Sequence, residues 1–421
     1  MPDTVTAGSP APGAPLSHGG RLDPAAQAQP FADVKARAAA AITAATGELL
    51  DLSHRIHANP EPAFEERFAA AAVAEVVARH GFVVERPVGS LETAVRGRLS
   101  GGRGAHGPRI AVLAEYDALP GLGHGCGHNT MAASGVGAAL GLAAVRDAWA
   151  GEVVFLGTPA EERGSGKEIM LRDGLFEGVD AALLYHPCDR NHVEIAPLAS
   201  EDVAVTFNGF AAHAASDPWK GRNALDAMIS LFVSVGLWRQ QLPTHCRVHG
   251  IIQEGGTAAN IVPSRTKAWF MIRSADQAYY EVMKRRFTAL CEAAAQAADV
   301  EVSVEYSGYA STMKHNRVLA DLWVANAAAN GVEDQGLDPT SGSTDMANVS
   351  WAMPAIHPEL AISDSPVPGH SIEFREAAAS PRADRTVLLA ATLVAQTALD
   401  LLLDPANAAA AWREFRGETA P

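Results

Sequence analysis

Apolar positions along this chain fall into two rhythms. Unbroken runs at 109–114, 152–157 and 181–185 predict strands buried on both faces. Strict alternation, as in Val203-Ala204-Val205-Thr206-Phe207, predicts strands with one face exposed, and the runs 248–253, 268–273 and 301–306 extend that group. Helical spacing covers 31–56, ended by Asn59-Pro60, and 65–80, ended by Gly81. It returns at 132–145, 223–238, 277–298, 318–329 and 385–403. Two further strands, 82–84 and 94–99, precede a Gly-rich stretch at 100–108 that has the composition of a hairpin loop.

The order of these elements implies an insertion. Strands and helices alternate up to about residue 198, as in an α/β unit. Strand, helix, two strands, helix and strand then form a compact α+β block at 199–309. The chain afterwards returns to helices and short strands. The expected organisation is a leader at 1–30, a catalytic domain at 31–198 and 310–421, and the inserted domain between its two parts. At 421 residues the chain exceeds what one core holds.

Chemistry collects where the three buried strands end. The first runs into Glu115 and Asp117, then a glycine-rich turn holding His124, Cys126 and His128. The second ends in Thr158-Pro159-Ala160-Glu161-Glu162, the third in His186-Pro187. Strand ends of one parallel sheet converge on one side, where open α/β sheets bind ligands. Thiolate, imidazole and carboxylate brought together there suit a divalent metal. Adjacent Glu161 and Glu162 cannot both point the same way in an extended chain. One of them can ligate metal while the other faces the substrate as a general base. The polar loops Gly342-Ser343-Thr344-Asp345 and Pro368-Gly369-His370-Ser371 complete the marked positions. His54 and His57, three apart on a helix, are read as structural or solvent-facing.

Composition narrows the class. A hydrophobic share of 48% with 19% charged residues describes a globular chain. The net charge of −15 argues against a nucleic-acid partner. Apolar runs are too short for a membrane span, and the leader has no apolar core of a secretory signal. Four scattered cysteines predict free thiols and a cytoplasmic protein.

Taken together, AEYDALPGLGHGCGHN, GTPAEERGSGK, LLYHP, GFAAHAA with GRNALDAM, GGTAANIVP, GSTDMANVSW and PGHS resemble the two-metal amidohydrolases of aminoacylase and glutamate-carboxypeptidase type. The p-aminobenzoyl-glutamate hydrolase and β-alanyl dipeptidase branch is the most similar. The likeness runs from about His54 to the final helix. It implies an α/β fold, a mixed-sheet di-metal catalytic domain carrying an inserted α+β dimerisation or lid domain. It further implies that Cys126, His128, Glu162, His186 and His370 hold two divalent ions, zinc or manganese, with Asp117 behind them. Glu161 would be the general base. His213 would reach a neighbouring subunit's site in a homodimer, and Asn260 and Arg273 would grip a substrate carboxylate. Better-known branches carry a ligating His where this chain has Glu115 and lack the thiol, which leaves the division of ligands between the ions open.

The resulting expectation is hydrolysis of a C–N bond in a small carboxylate-bearing molecule, an aminobenzoyl- or dipeptide-like N-acyl amino acid. Two rivals stand beside it. The same centre could release ammonia from an aminobenzoate-like arylamine, and a metal-binding scaffold could carry the residues without turnover.

Overall fold

The computed structural model describes residues 31–338 and 342–418; the expected leader lies outside them. Two hydrophobic cores organise these residues. Around the larger core a six-stranded sheet runs Val83–Glu85, Val95–Ser100, Glu152–Thr158, Arg109–Glu115, Ala181–Leu183, Ala355–Ile356 in spatial order. The last four are mutually parallel, and the first two form an antiparallel edge. Every residue of Glu152–Thr158 is buried, as is Ile110 to Glu115. That is why those strands read as continuous apolar runs rather than alternating ones.

The helix His128–Ala144 fills one face of the sheet with small side chains. Closeness requires them: a Cβ on Gly135 would come within 2.6 Å of the Leu113 carbonyl oxygen. Outside it lies the helix Pro381–Leu403. By length and composition that helix could cross a membrane, against the expectation that no run is apolar enough. Instead, 83% of its most apolar window is buried inside the protein. Its apolar surface belongs to the core.

The second core lies under an antiparallel sheet ordered Glu301–Ala310, Ala199–Asn208, Arg265–Ser274, Cys246–Glu254. Here burial alternates along the two inner strands, and the helices Ala224–Arg239 and Gln277–Ala297 cover the buried face. Val205, Phe207, Leu231, Phe270 and Phe287 are fully or almost fully enclosed. The mixed α/β architecture with an α+β insert is as the sequence implied.

Three local expectations are corrected. The helix expected over 31–56 is two, Ala32–Ala44 and Thr46–Ala58. At the joint the Thr46 hydroxyl donates to the Thr43 carbonyl at 2.6 Å, a side-chain bond that competes with the helical ladder. Residues 100–108 form no hairpin, because Glu152–Thr158 separates the strands on either side of them. The third buried strand stops at Leu183. His186–Cys188 leaves the main sheet and pairs in parallel with Glu359–Ala361.

Candidate metal centre and active site

Four separate segments deliver the polar side chains marked in the sequence. His128 opens its helix behind Gly127, whose φ of 76° turns the chain sharply. A Cβ there would also meet the Pro187 ring at 2.8 Å, so glycine is required twice over. Glu161 and Glu162 follow Ala160, a fully buried alanine in the left-handed region at φ 59°. The Glu66 carboxylate pins that turn, accepting the N–H groups of Ala160 and Phe64 and the Thr93 hydroxyl. Burial pushes Glu66 up to about 7. His370, also left-handed at φ 59°, is tied to the metal-type loop by its own N–H donating to the Gly125 carbonyl.

The side chains meet in two overlapping sets. Donor atoms of Cys126, His128 and His186 all lie within 4.8 Å of one another, and so do those of Cys126, Glu162 and His370. Cys126 Sγ is 3.5 Å from His186 Nε2, and Glu162 Oε2 is 3.5 Å from His370 Nε2. Asp117 sits behind. Its carboxylate is 3.0 Å from His128 Nδ1 and accepts the Glu162 N–H at 2.9 Å. With Nδ1 so held, His128 Nε2 faces the cluster. Glu161 adjoins them in a third grouping, with Glu115 and His128, its Oε2 3.9 Å from His128 Nε2.

Electrostatics shows what this cluster lacks. Burial, then Glu115 and Glu162, push Glu161 well above the usual carboxylate range. Burial and Glu162 likewise raise the Cys126 thiol far up. His186 is pushed down to about 4 by burial, which keeps it a neutral donor. His128 Nε2 and Glu162 Oε1 are buried without a hydrogen bond. Orphaned donor atoms, a thiol, imidazoles and carboxylates at mutual ligand distance fit divalent metal.

An open cavity of about 490 Å³ covers the cluster. Arg273 lines it together with Cys126, Glu161, Glu162, His186 and His370. His213 and Asn260 are exposed on the inserted domain and do not line this cavity. His213 Nδ1 accepts the N–H groups of Ala215 and Ser216, both at 3.2 Å.

Sequence reasoning passed over three residues here, Lys167, His357 and Glu359, and marked Asp345 only as part of a polar loop. Lys167 is fully buried, its Nζ 2.5 Å from Glu115 Oε1 and ion-paired with Asp345 Oδ1. Burial opposes that charge, yet Asp345 and Glu115 hold the ammonium above its ordinary pKa. His357 is buried with its ring 5.4 Å from that of His186, and its Nδ1 has no partner. Glu359 also lines the cavity, pushed up to about 7 by burial and then by Asp338. The sequence signal available for Asp345 was its polar loop; for Lys167, His357 and Glu359 it was slight.

Comparison with known proteins agrees with this geometry. The model of Peptidase family M20/M25/M40 matches residues 111–389. Over 403 residues the chain is 37% identical to mouse Xaa-Arg dipeptidase, covering 91% of this chain and 92% of that one. It is 32% identical over 300 residues to a p-aminobenzoyl-glutamate hydrolase subunit of Escherichia coli, 66% of this chain and 62% of that one. In structure it resembles a dinuclear metal-binding peptidase of the M20 family from Bacillus subtilis. There the TM-score is 0.65 at 20% identity, covering 86% of this chain and 99% of that one. The chain therefore belongs to Peptidase family M20/M25/M40 and is a metal-dependent hydrolase of amide C–N bonds.

Proposed function

We propose that this chain hydrolyses the amide of an N-acyl amino acid or dipeptide, using Glu161 as general base. The observation that carries this reading is the position of Glu161. Its carboxylate is nine-tenths buried, faces the cavity and stands beside the donor cluster without belonging to either set that contains Cys126. Those two sets share Cys126, and together their residues would offer donors to two divalent ions. The thiol favours zinc, and the surrounding carboxylates also suit manganese.

Bound divalent ions would lower the pKa of a water and polarise the scissile carbonyl. Glu161 accepts the proton of the attacking water and passes it to the leaving nitrogen. Asp117 fixes His128, and Arg273 offers a guanidinium to the substrate carboxylate. With its Nδ1 accepting two backbone N–H groups, His213 carries its proton on Nε2. That N–H is a donor for the developing oxyanion. Because His213 stands away from its own cavity, a second copy supplies it. The exposed edge strand Cys246–Glu254, with Ile251 and Ile252, and the outer helix face of Ile229, Val233 and Leu237 form the joining surface. Four free cysteines keep a cytoplasmic setting part of the same reading.

The mouse relative is named for dipeptides ending in arginine, so such dipeptides are the first substrates to try. The zinc- or manganese-loaded enzyme is offered dipeptides, aminobenzoyl-glutamate, other N-acyl amino acids and aminobenzoates. Release of a free amino acid, abolished by a chelator and restored by metal, is the expected result. Ammonia from the aminobenzoates with no amino acid released would overturn the amide reading in favour of arylamine deamination.

A further inference from the structure

One wall of the cavity has chemistry that the proposed reaction leaves unused. The strand Glu359–Ala361 runs parallel to His186–Cys188, with Glu359 opposite His186. Glu359 is 8% exposed, lines the cavity, and its Oε2 makes no hydrogen bond. Behind it, ligand-type atoms of Glu359, Asp338 and Cys188 all lie within 4.8 Å of one another. Asp338 is itself buried. The neighbouring cation Arg190 is turned outward, half exposed and paired with Asp189 at 3.1 Å. Two buried carboxylates are thus held together, and Glu359, which lines the substrate cavity, keeps one buried oxygen unbonded. Such an oxygen is costly unless a donor reaches it. A bound molecule entering the cavity can bring that donor.

We propose that Glu359, backed by Asp338, is the recognition site for a cationic side chain of the substrate, an ammonium or guanidinium. The assignment rests on the amide-hydrolase reading for the identity of the substrate. Arg273 on the same cavity takes the carboxylate, and the Glu359 recess takes the positive end. A planar guanidinium offers parallel N–H donors to a carboxylate, and an ammonium offers a point charge. Neutral side chains of the same length leave the negative charge of the recess unanswered, and rejection of them follows from that loss.

The test compares two dipeptides that differ only in ending in arginine or in its uncharged isostere citrulline. With the metal-loaded enzyme, kcat/KM is expected to favour arginine at least tenfold. In Glu359→Gln the arginine-to-citrulline ratio is expected to collapse by about 10- to 100-fold, the scale of one charged hydrogen bond. Bound metal and melting temperature are measured alongside. An equal fall on both substrates leaves the ratio intact and overturns the proposal. So does a third equivalent of zinc that Glu359→Gln loses, since the recess would then hold a metal ion. A second measurement needs no variant. Free arginine should inhibit the unaltered enzyme at least tenfold more tightly than free citrulline, and equal inhibition overturns the proposal. Should no dipeptide or N-acyl amino acid be cleaved at all, the amide reading fails separately. Calorimetric binding of arginine against citrulline then still decides for or against the Glu359 recess.

Discussion

Replacing Lys167 by methionine keeps the length of the side chain and removes a charge from the interior. Lys167 bridges Glu115, at the end of the central strand, to Asp345, which precedes the helix Met346–Ala352. Its own N–H also donates to Asp345 Oδ2 at 2.9 Å. All three side chains are almost completely buried. Removing one partner of a buried ion pair costs about 3–5 kcal/mol, because the remaining charge is left uncompensated. Here two carboxylates lose their cation at once, and one of them can escape by taking up a proton. Burial already raises Asp345 to about 6, with Lys167 the chief influence pulling it down. Without Lys167 the Asp345 pKa climbs further. A folded-state carboxyl pKa above its unfolded value adds stability at low pH that is lost as pH rises through it. The penalty for Lys167→Met should therefore be about 3–5 kcal/mol at pH 7 and smaller at pH 5.

Urea unfolding of the metal-free protein, followed by tryptophan fluorescence, measures this. Trp149 is buried in the larger core and reports on it. The triple variant Lys167→Met, Glu115→Gln, Asp345→Asn should recover most of the loss, since neutral groups leave no buried charge. A loss below about 1 kcal/mol at pH 7, or one that grows on acidification, would refute the reasoning.

The remaining predictions concern the reaction. Glu161→Gln should keep its metal and lose on the order of 10²–10⁴-fold in kcat; loss of metal in elemental analysis would make Glu161 a ligand instead. Cys126→Ser and His370→Ala should each lower metal content, and full stoichiometry in both would sink their assignment. Inactive Glu161→Gln and inactive His213→Ala should regain activity when mixed, because a heterodimer has one site free of both lesions. No recovery despite proven subunit exchange would put His213 outside the partner's site. Arg273→Lys should reduce kcat/KM by about 1.5–3 kcal/mol on carboxylate substrates and spare their carboxamide analogues. Equal losses on both would give Arg273 a structural role.

What the sequence made legible was what local pattern controls. The strands 109–115 and 152–158 show as apolar runs because both their faces are covered, and the inserted sheet alternates because one face is not. The donors at the ends of these strands could be named for the same reason. The spatial order of strands was hidden, since an apolar run fits any central place in a sheet, and Glu152–Thr158 took the place between two sequence neighbours. Lys167 was hidden for a different reason. Its partners lie 52 positions before it and 178 after it, and only their convergence turns an ordinary lysine into a buried cation. Glu359 is the reverse case, a glutamate whose interest lies in a partner that the fold withholds.

These two residues also explain how one region of the fold holds so many acids. Glu115, Asp117, Glu161, Glu162, Asp345 and Glu359 are all buried or nearly so, and unrelieved repulsion among them would oppose folding. The fold answers each differently. Lys167 neutralises Glu115 and Asp345 from a fully buried position between them. Asp117 is answered by His128 and by the N–H of Glu162. On the proposed reading Glu162 and the Cys126 thiol would be answered by cations from outside, which would couple metal binding to the stability of the site. Burial and the neighbouring Glu115 and Glu162 leave Glu161 with a raised proton affinity. Glu359 stands outside the sets that contain Cys126 and keeps one oxygen without a hydrogen bond, which on the proposal above is what a cationic substrate group would answer.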